Sequence, residues 1–218
     1  MSDSSRESRR QDPSVPDQYD AWATVYDLFW ARYINQTLPV LQRAANVASG
    51  ERVLDLACGT GELERRILDE TSPSHIVGVD LAPSMVERAQ AKLAGRSSVR
   101  FEQADVHDLP FEDRAFDVVV CANTFHYFTH PTQVLREAHR VLAPTGRLVM
   151  LDWCRDYWAC RVMDAVLQVV DPAYQHCYTL DEMRALLERA SFSISRQFRY
   201  RFDLIWGMMV VEGIPEDA

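Results

Sequence analysis

The sequence predicts an α/β fold, a mostly parallel sheet with helices on both faces. Three observations carry that expectation. Short, nearly all-apolar runs alternate with stretches of helical spacing between residues 51 and 153. Val53-Leu54-Asp55-Leu56-Ala57-Cys58-Gly59-Thr60-Gly61 reads as a strand running into a glycine turn, with helical spacing from Glu62 onward. Acidic residues recur where the strands end, at Asp80 and Asp105 as well as Asp55.

Residues 1–16 are rich in Ser, Arg, Asp and Pro and read as a disordered leader. Residues 17–218 are expected to form one domain. It divides into a helical cap (17–50), a ligand-binding core (51–153), and substrate-side helices with a closing hairpin (154–218). Tyr19, Trp22, Tyr26, Phe29, Trp30 and Tyr33 predict an aromatic-faced helix over 18–33. A second helix is expected over 36–48, ending at Gly50. Strand 52–57 and helix 61–70 follow, then strand 75–80 and helix 83–94, with Pro83 in its first turn. Residues 98–104 read as a strand. Phe116 to Cys121 is a continuous apolar strand after the acidic turn Glu112-Asp113-Arg114. Helix 131–142, the turn Ala143-Pro144-Thr145-Gly146 and strand 146–152 complete the alternation. Crossovers are expected to be right-handed. Helices over 157–170 and 179–190 precede strands 192–202 and 204–212, whose short connection predicts an antiparallel hairpin.

The 218 residues are 47% hydrophobic, ample for a core. Acidic residues outnumber basic ones, 32 to 23, for a formal charge of −9, which disfavours a nucleic-acid backbone as the partner. No apolar run approaches the ~20 residues of a membrane span. Five scattered cysteines do not make a disulfide framework, and the polar N-terminus lacks the apolar stretch of a signal peptide. A reducing cytoplasm is the expected home. Oligomeric state is not legible.

In an open parallel sheet a ligand sits beyond the carboxyl ends of the strands. That edge collects Asp55 and the loop Ala57 to Gly61, then Asp80, Asp105, Asn123 and His126, and Asp152 with Trp153. Asp80 lies about 20 residues past the loop, where an acid reaches a ribose diol. A nicotinamide dinucleotide would use that acid too, but its fingerprint wants a small residue where this chain has Glu64. A bulky acid there is expected to crowd helix against strand and to repel a diphosphate. Asp105 could accept from an adenine amino group.

Asp-Leu-Ala-Cys-Gly-Thr-Gly (55–61), Gly-Val-Asp-Leu-Ala-Pro-Ser-Met (78–85), Gln-Ala-Asp-Val-His-Asp-Leu-Pro-Phe (103–111) and Phe-Asp-Val-Val-Val-Cys (116–121) resemble class I S-adenosylmethionine-dependent methyltransferases. Within that family the small-molecule branch of ubiquinone and menaquinone C-methyltransferases is the most similar. The likeness runs from about Tyr19 to Met150. It implies a Rossmann-like fold of seven strands, the last inserted antiparallel beside the fifth. It also implies S-adenosylmethionine as cofactor and S-adenosylhomocysteine as product. By the resemblance, Asp55 and the backbone of Ala57, Cys58, Gly59 and Gly61 hold the methionine part, and Asp80 the ribose hydroxyls. Leu81 and Met85 flank adenine, Asp105 and Val106 meet its amino edge, and Asn123 lies beside the methionine end. Tyr19 and Tyr26 cap the donor.

The function these residues imply is methyl transfer by in-line displacement to a small, partly apolar metabolite. A silent S-adenosylmethionine-binding sensor or partner subunit is the alternative. His126 is the candidate base, opposed by a plain structural reading, with Tyr127, His130 and Asp152 as lesser candidates. Trp153, Trp158 and Trp206 suggest either plain core or an apolar acceptor pocket. Cys154, Cys160 and Cys177 could hold a metalloid acceptor, but their spacing is no metal pattern, so idle thiols and no metal are expected.

Overall fold

The computed structural model describes residues 26–202 and 206–216, with side chains from residue 31 onward. The predicted leader, Tyr19 and Trp22 lie outside the described residues, as do the side chains of Tyr26, Phe29 and Trp30. Seven strands form one sheet: β1 (Arg52–Leu56), β2 (His75–Asp80), β3 (Val99–Gln103), β4 (Phe116–Ala122), β5 (Leu142–Trp153), β6 (Phe192–Arg201) and β7 (Gly207–Pro215). Their order is β3-β2-β1-β4-β5-β7-β6. Neighbours from β3 to β5 are parallel, and β7 runs antiparallel to both β5 and β6. The antiparallel strand inserted beside the fifth is the arrangement the resemblance implied.

The described helices are α1 (Tyr26–Ala45), α2 (Glu62–Glu70), α3 (Pro83–Lys92), α4 (Pro131–Val141), α5 (Trp158–Val170) and α6 (Leu180–Arg189), with a 3₁₀ turn at Phe125–Tyr127. The central strands are apolar on both faces because helices cover both. On one face Leu54, Val79, Val119 and Leu148 pack with Leu135 and Ala138 of α4 and Met183 and Leu187 of α6. On the other, Val53, Ile76, Val118 and Val149 pack with Leu41 and Ala44 of α1 and Leu63 and Ile67 of α2. Helix α6 starts on a capping box. The Thr179 side chain accepts from the Glu182 backbone, and the Glu182 carboxylate accepts from the Thr179 backbone.

Three boundaries differ from expectation. The two predicted N-terminal helices are one across residues 34–35, since Asn35 and Gln36 sit on its exposed face while Tyr33, Thr37, Leu38 and Leu41 continue the buried stripe. Strand β5 starts at Leu142, so the predicted turn 143–146 lies inside it, where its register with β4 shifts. Strand β7 begins at Gly207 and reaches Pro215, beyond the predicted end at 212.

The outer strands β3 and β6 are charged. Arg100 pairs with Glu102 at 2.6 Å on β3. On β6, Arg196 pairs with Glu212 at 2.6 Å and Arg199 with Asp156 at 2.8 Å, and Arg201 is exposed.

Candidate active site

The glycine turn closes over the carboxyl end of β1. Ala57, Gly59 and Gly61 have φ of 59°, 55° and 76°, the left-handed region that glycine enters freely and alanine only with strain. A side chain at Gly61 would press on Phe101 and Ala89, whereas Gly59 faces open space. Asp80, ending β2, locks the turn: Gly59 N–H donates to its Oδ2 at 2.8 Å and Ala82 N–H to its Oδ1 at 3.0 Å. Cys58 N–H donates to the Val79 carbonyl at 2.9 Å.

Beyond this edge lies a cavity of about 470 Å³. Ala57, Gly59, Asp80, Leu81, Met85, Asp105 and Val106 line it, as the sequence predicts. His107, Thr124, Tyr127, Thr129, His130 and Gln133 line it too, and of these only Tyr127 and His130 were foreseen, as lesser catalytic candidates. Asp105 Oδ1 accepts from the His107 backbone at 2.9 Å and stands 2.6 Å from its Nδ1. Partial burial pushes the Asp105 carboxyl up, but these two bonds outweigh it and hold the group below its usual value.

Five predicted site residues do not line the cavity: Asp55, Cys58, Gly61, Asn123 and His126. Gly61 and Cys58 sit in and under the turn. Asn123, with φ 57°, accepts from the Tyr33 hydroxyl at 2.7 Å and donates to Thr37 Oγ1 at 3.3 Å. The Trp153 indole donates to the same Tyr33 hydroxyl at 2.7 Å, so α1 is tied to the ends of β4 and β5.

His126 and Asp152 form a buried dyad. The ring Nδ1 lies 2.6 Å from Asp152 Oδ1, and the ring stacks on Trp153 at 4.5 Å. An ionised carboxylate can only accept, so Nδ1 is the donor in this contact. The His126 carbonyl accepts from the Gln175 and His176 backbones, which moors the segment after α5. Trp206 packs on Trp153 at 5.3 Å, whereas Trp158 is 68% exposed on α5, and none of the three lines the cavity described above.

Beneath the glycine turn, the Asp55 carboxyl faces Glu64 of α2. Both are buried, and Asp55 Oδ1 and both Glu64 oxygens lack a hydrogen-bond donor. The predicted clash of Glu64 with the sheet does not occur, because Gly78 in β2 leaves the space. The signal for Glu64 was present in the sequence: a glycine inside an otherwise apolar strand marks a close approach.

Cys154, Cys160 and Cys177 are buried, and burial pushes all three thiols up, Cys154 to about 12. Among the described residues no group of three or more His, Cys, Asp or Glu could hold a metal ion.

A family model described as a methyltransferase domain matches residues 48–196. The chain belongs to this family. It is a member of the class I S-adenosylmethionine-dependent methyltransferases, as the motifs at 55–61 and 78–85 implied. This methyltransferase is 37% identical over 156 residues to the demethylmenaquinone methyltransferase of Deinococcus radiodurans, a match covering 65% of each chain. It is 40% identical over 131 residues to that of Thermus thermophilus, covering 58% of this chain and 55% of the relative. The matched part thus spans less than two thirds of these relatives' length. In fold it resembles the methyltransferase solved with the Haloferax volcanii Trm112 methyltransferase activator. There the TM-score is 0.83 at 22% identity, covering 94% of this chain and 99% of that one.

The residues present fit S-adenosylmethionine. Asp80 brings a carboxylate to the cavity wall, Gly59 leaves its face open, and Asp55 Oδ1 lacks a donor just behind the loop. No described helix is long and apolar enough to cross a membrane.

Proposed function

We propose that the chain moves a methyl group from S-adenosylmethionine to a small, partly apolar acceptor by in-line displacement. The observation that carries this reading is that the carboxyl ends of the adjacent strands β1, β2 and β3 bring Asp55, Asp80 and Asp105 to one sheet edge, where Asp80 and Asp105 line the cavity beside the glycine turn and Asp55 lies behind it. Asp80 would hold the ribose hydroxyls, with Leu81 and Met85 against adenine and Asp105 and Val106 at its amino edge. Asp55 and the turn from Ala57 through Cys58 and Gly59 to Gly61 would hold the methionine end, beside Asn123. Tyr19 and Tyr26 would cap it.

When bound, S-adenosylmethionine supplies a methyl group on a sulfonium, which is a good leaving group. The chain's own work is to align the acceptor and to exclude water. The aromatic rings of Tyr127 and Phe128, which line the cavity, support an apolar, flat acceptor. A quinone ring of the kind named in the relatives' demethylmenaquinone activity suits such a wall. The acidic balance of the chain suits a small acceptor better than a nucleic acid, and five free thiols suit a reducing cytoplasm. His126 is the candidate base for an oxygen or carbon acceptor: it is buried directly behind the cavity-lining Tyr127, and Asp152 holds its ring in place.

Calorimetry with S-adenosylhomocysteine tests the donor site, and silence at millimolar ligand ends the reading. Transfer of isotope-labelled methyl into a cell extract tests the reaction. Binding with no labelled product would leave a sensor or partner subunit. His126→Asn is expected to lower kcat about 10²–10⁴-fold with donor affinity unchanged. An unaltered kcat would make His126 a structural tie only.

A further inference from the structure

Glu64 occupies the first turn of α2 and is fully buried. A carboxylate in that position needs hydrogen-bond donors or a proton. Neither of its oxygens meets a donor from another residue's N–H, its own backbone N–H does not offset the burial, and its partner across the β1–α2 contact is the Asp55 carboxyl, itself an acceptor when ionised. Two carboxyls in contact are satisfied when a proton lies between them. The space is made for this group: a Cβ at Gly78 would stand 2.5 Å from Glu64 Oε1 and 2.9 Å from the Cys58 side chain.

The other titratable and charged groups acting on the pair are few. Asp80 of β2 adds negative charge, and the Cys58 thiol of the turn and the buried Cys121 thiol of β4 stand close enough to feel the Asp55 carboxyl. Lys92 of α3 is the positive charge that acts on Glu64. Its ammonium is 3.0 Å from the Thr60 hydroxyl and 3.7 Å from Glu62, so part of its charge is spent there.

Resting on the reading of the turn as the donor site, we propose that Asp55 and Glu64 hold a shared proton in the ligand-free protein and release it when a ligand with positive charge settles on the turn. Burial raises both carboxyls, Asp55 well above its usual range and Glu64 to about 7. The pair therefore holds its proton near neutrality and gives it up once a cation restores the charge balance. Glu64 is a positioning residue that acts through Asp55. S-adenosylmethionine brings an ammonium and a sulfonium, and S-adenosylhomocysteine the ammonium alone. The donor therefore displaces more proton than the product does, and its advantage over the product grows as pH rises.

Titration calorimetry at pH 7 in two buffers of different ionisation heat, phosphate and Tris, tests the inference. With S-adenosylmethionine the heat is expected to differ between buffers by an amount that reports proton release. Donor affinity is expected to rise about tenfold from pH 6 to pH 8, and product affinity by less. Glu64→Gln keeps the shape and removes the shared proton. Its donor affinity is expected to be flatter with pH, and the difference from wild type cancels the ligand's own titration. Donor binding in the wild type with buffer-independent heat and pH-independent affinity overturns the proposal and leaves the donor-site reading intact. Proton release undiminished in Glu64→Gln also overturns it. Absence of binding by either ligand overturns the donor-site reading and this inference together. If Glu64→Gln does not fold, the wild-type buffer comparison decides alone.

Discussion

Asp55 and Asp152 stand at the same edge of the same sheet, each about 2% exposed, yet their surroundings are opposite. Asp152 accepts from the His126 ring at 2.6 Å, the His126 backbone at 3.1 Å and the Trp153 backbone at 2.7 Å. Asp55 has another carboxyl for a neighbour and an oxygen with no donor. Burial is equal, so burial does not separate them. The supply of donors does: the fold completes the first site and leaves the second to a proton or a ligand.

The largest expected effect breaks the completed site. Asp152→Ala removes an acceptor from three donors and should cost about 3–5 kcal/mol in urea unfolding. Asp55→Asn should cost far less at pH 8, where the natural pair carries its repulsion. Equal losses would erase the contrast between the two carboxyls.

The pH dependence of stability comes next. Above their ordinary range the unfolded chain has released protons that Asp55 and Glu64 still hold when folded. Folding then binds protons, so stability falls as pH rises from about 4.5, through the ionisation of Glu64 near 7 and until Asp55 also ionises. Moving one site from 4.5 to about 7 corresponds to about 3 kcal/mol. Glu64→Gln should flatten that fall in melts of the ligand-free protein between pH 5 and 8. An equally steep fall in the variant would place the titrating group elsewhere.

A smaller effect sharpens the ligand side. Asp80→Ala removes a charged acceptor and should weaken S-adenosylhomocysteine binding by about 1–3 kcal/mol in calorimetry. The smallest serves as a control. Thr179→Ala breaks the capping box of α6 and should lower stability by about 1 kcal/mol while leaving donor affinity unchanged. A shift in donor affinity there would tie the two sites together through the fold.

The donor side was readable because its signals are local. Each of Asp55, Asp80 and Asp105 sits within a few residues of its own strand, and parallel neighbours bring those ends together without further information. The cluster of Tyr33, Asn123, His126 and Trp153 was less readable because its contacts span the chain. Tyr33 meets Asn123 and Trp153 across 90 and 120 residues, and His126 meets Asp152 across 26. No periodicity encodes such pairs. Trp158 shows the same limit: its helical spacing looks like core, but its face of α5 is exposed. Glu64 lies between the cases. Its spacing suggested a clash, and only the pairing of β2 with β1 puts Gly78 where the clash would have been.

The rims of the sheet carry a consequence of their own. An outer strand offers unpaired backbone groups to any extended peptide that drifts past. Here such a visitor would have to lie over Arg196, Arg199 and Arg201 along one rim, or over Arg100 and Glu102 along the other, and strip water from each charge. Charged rims of this kind disfavour edge-to-edge pairing of two copies of the sheet.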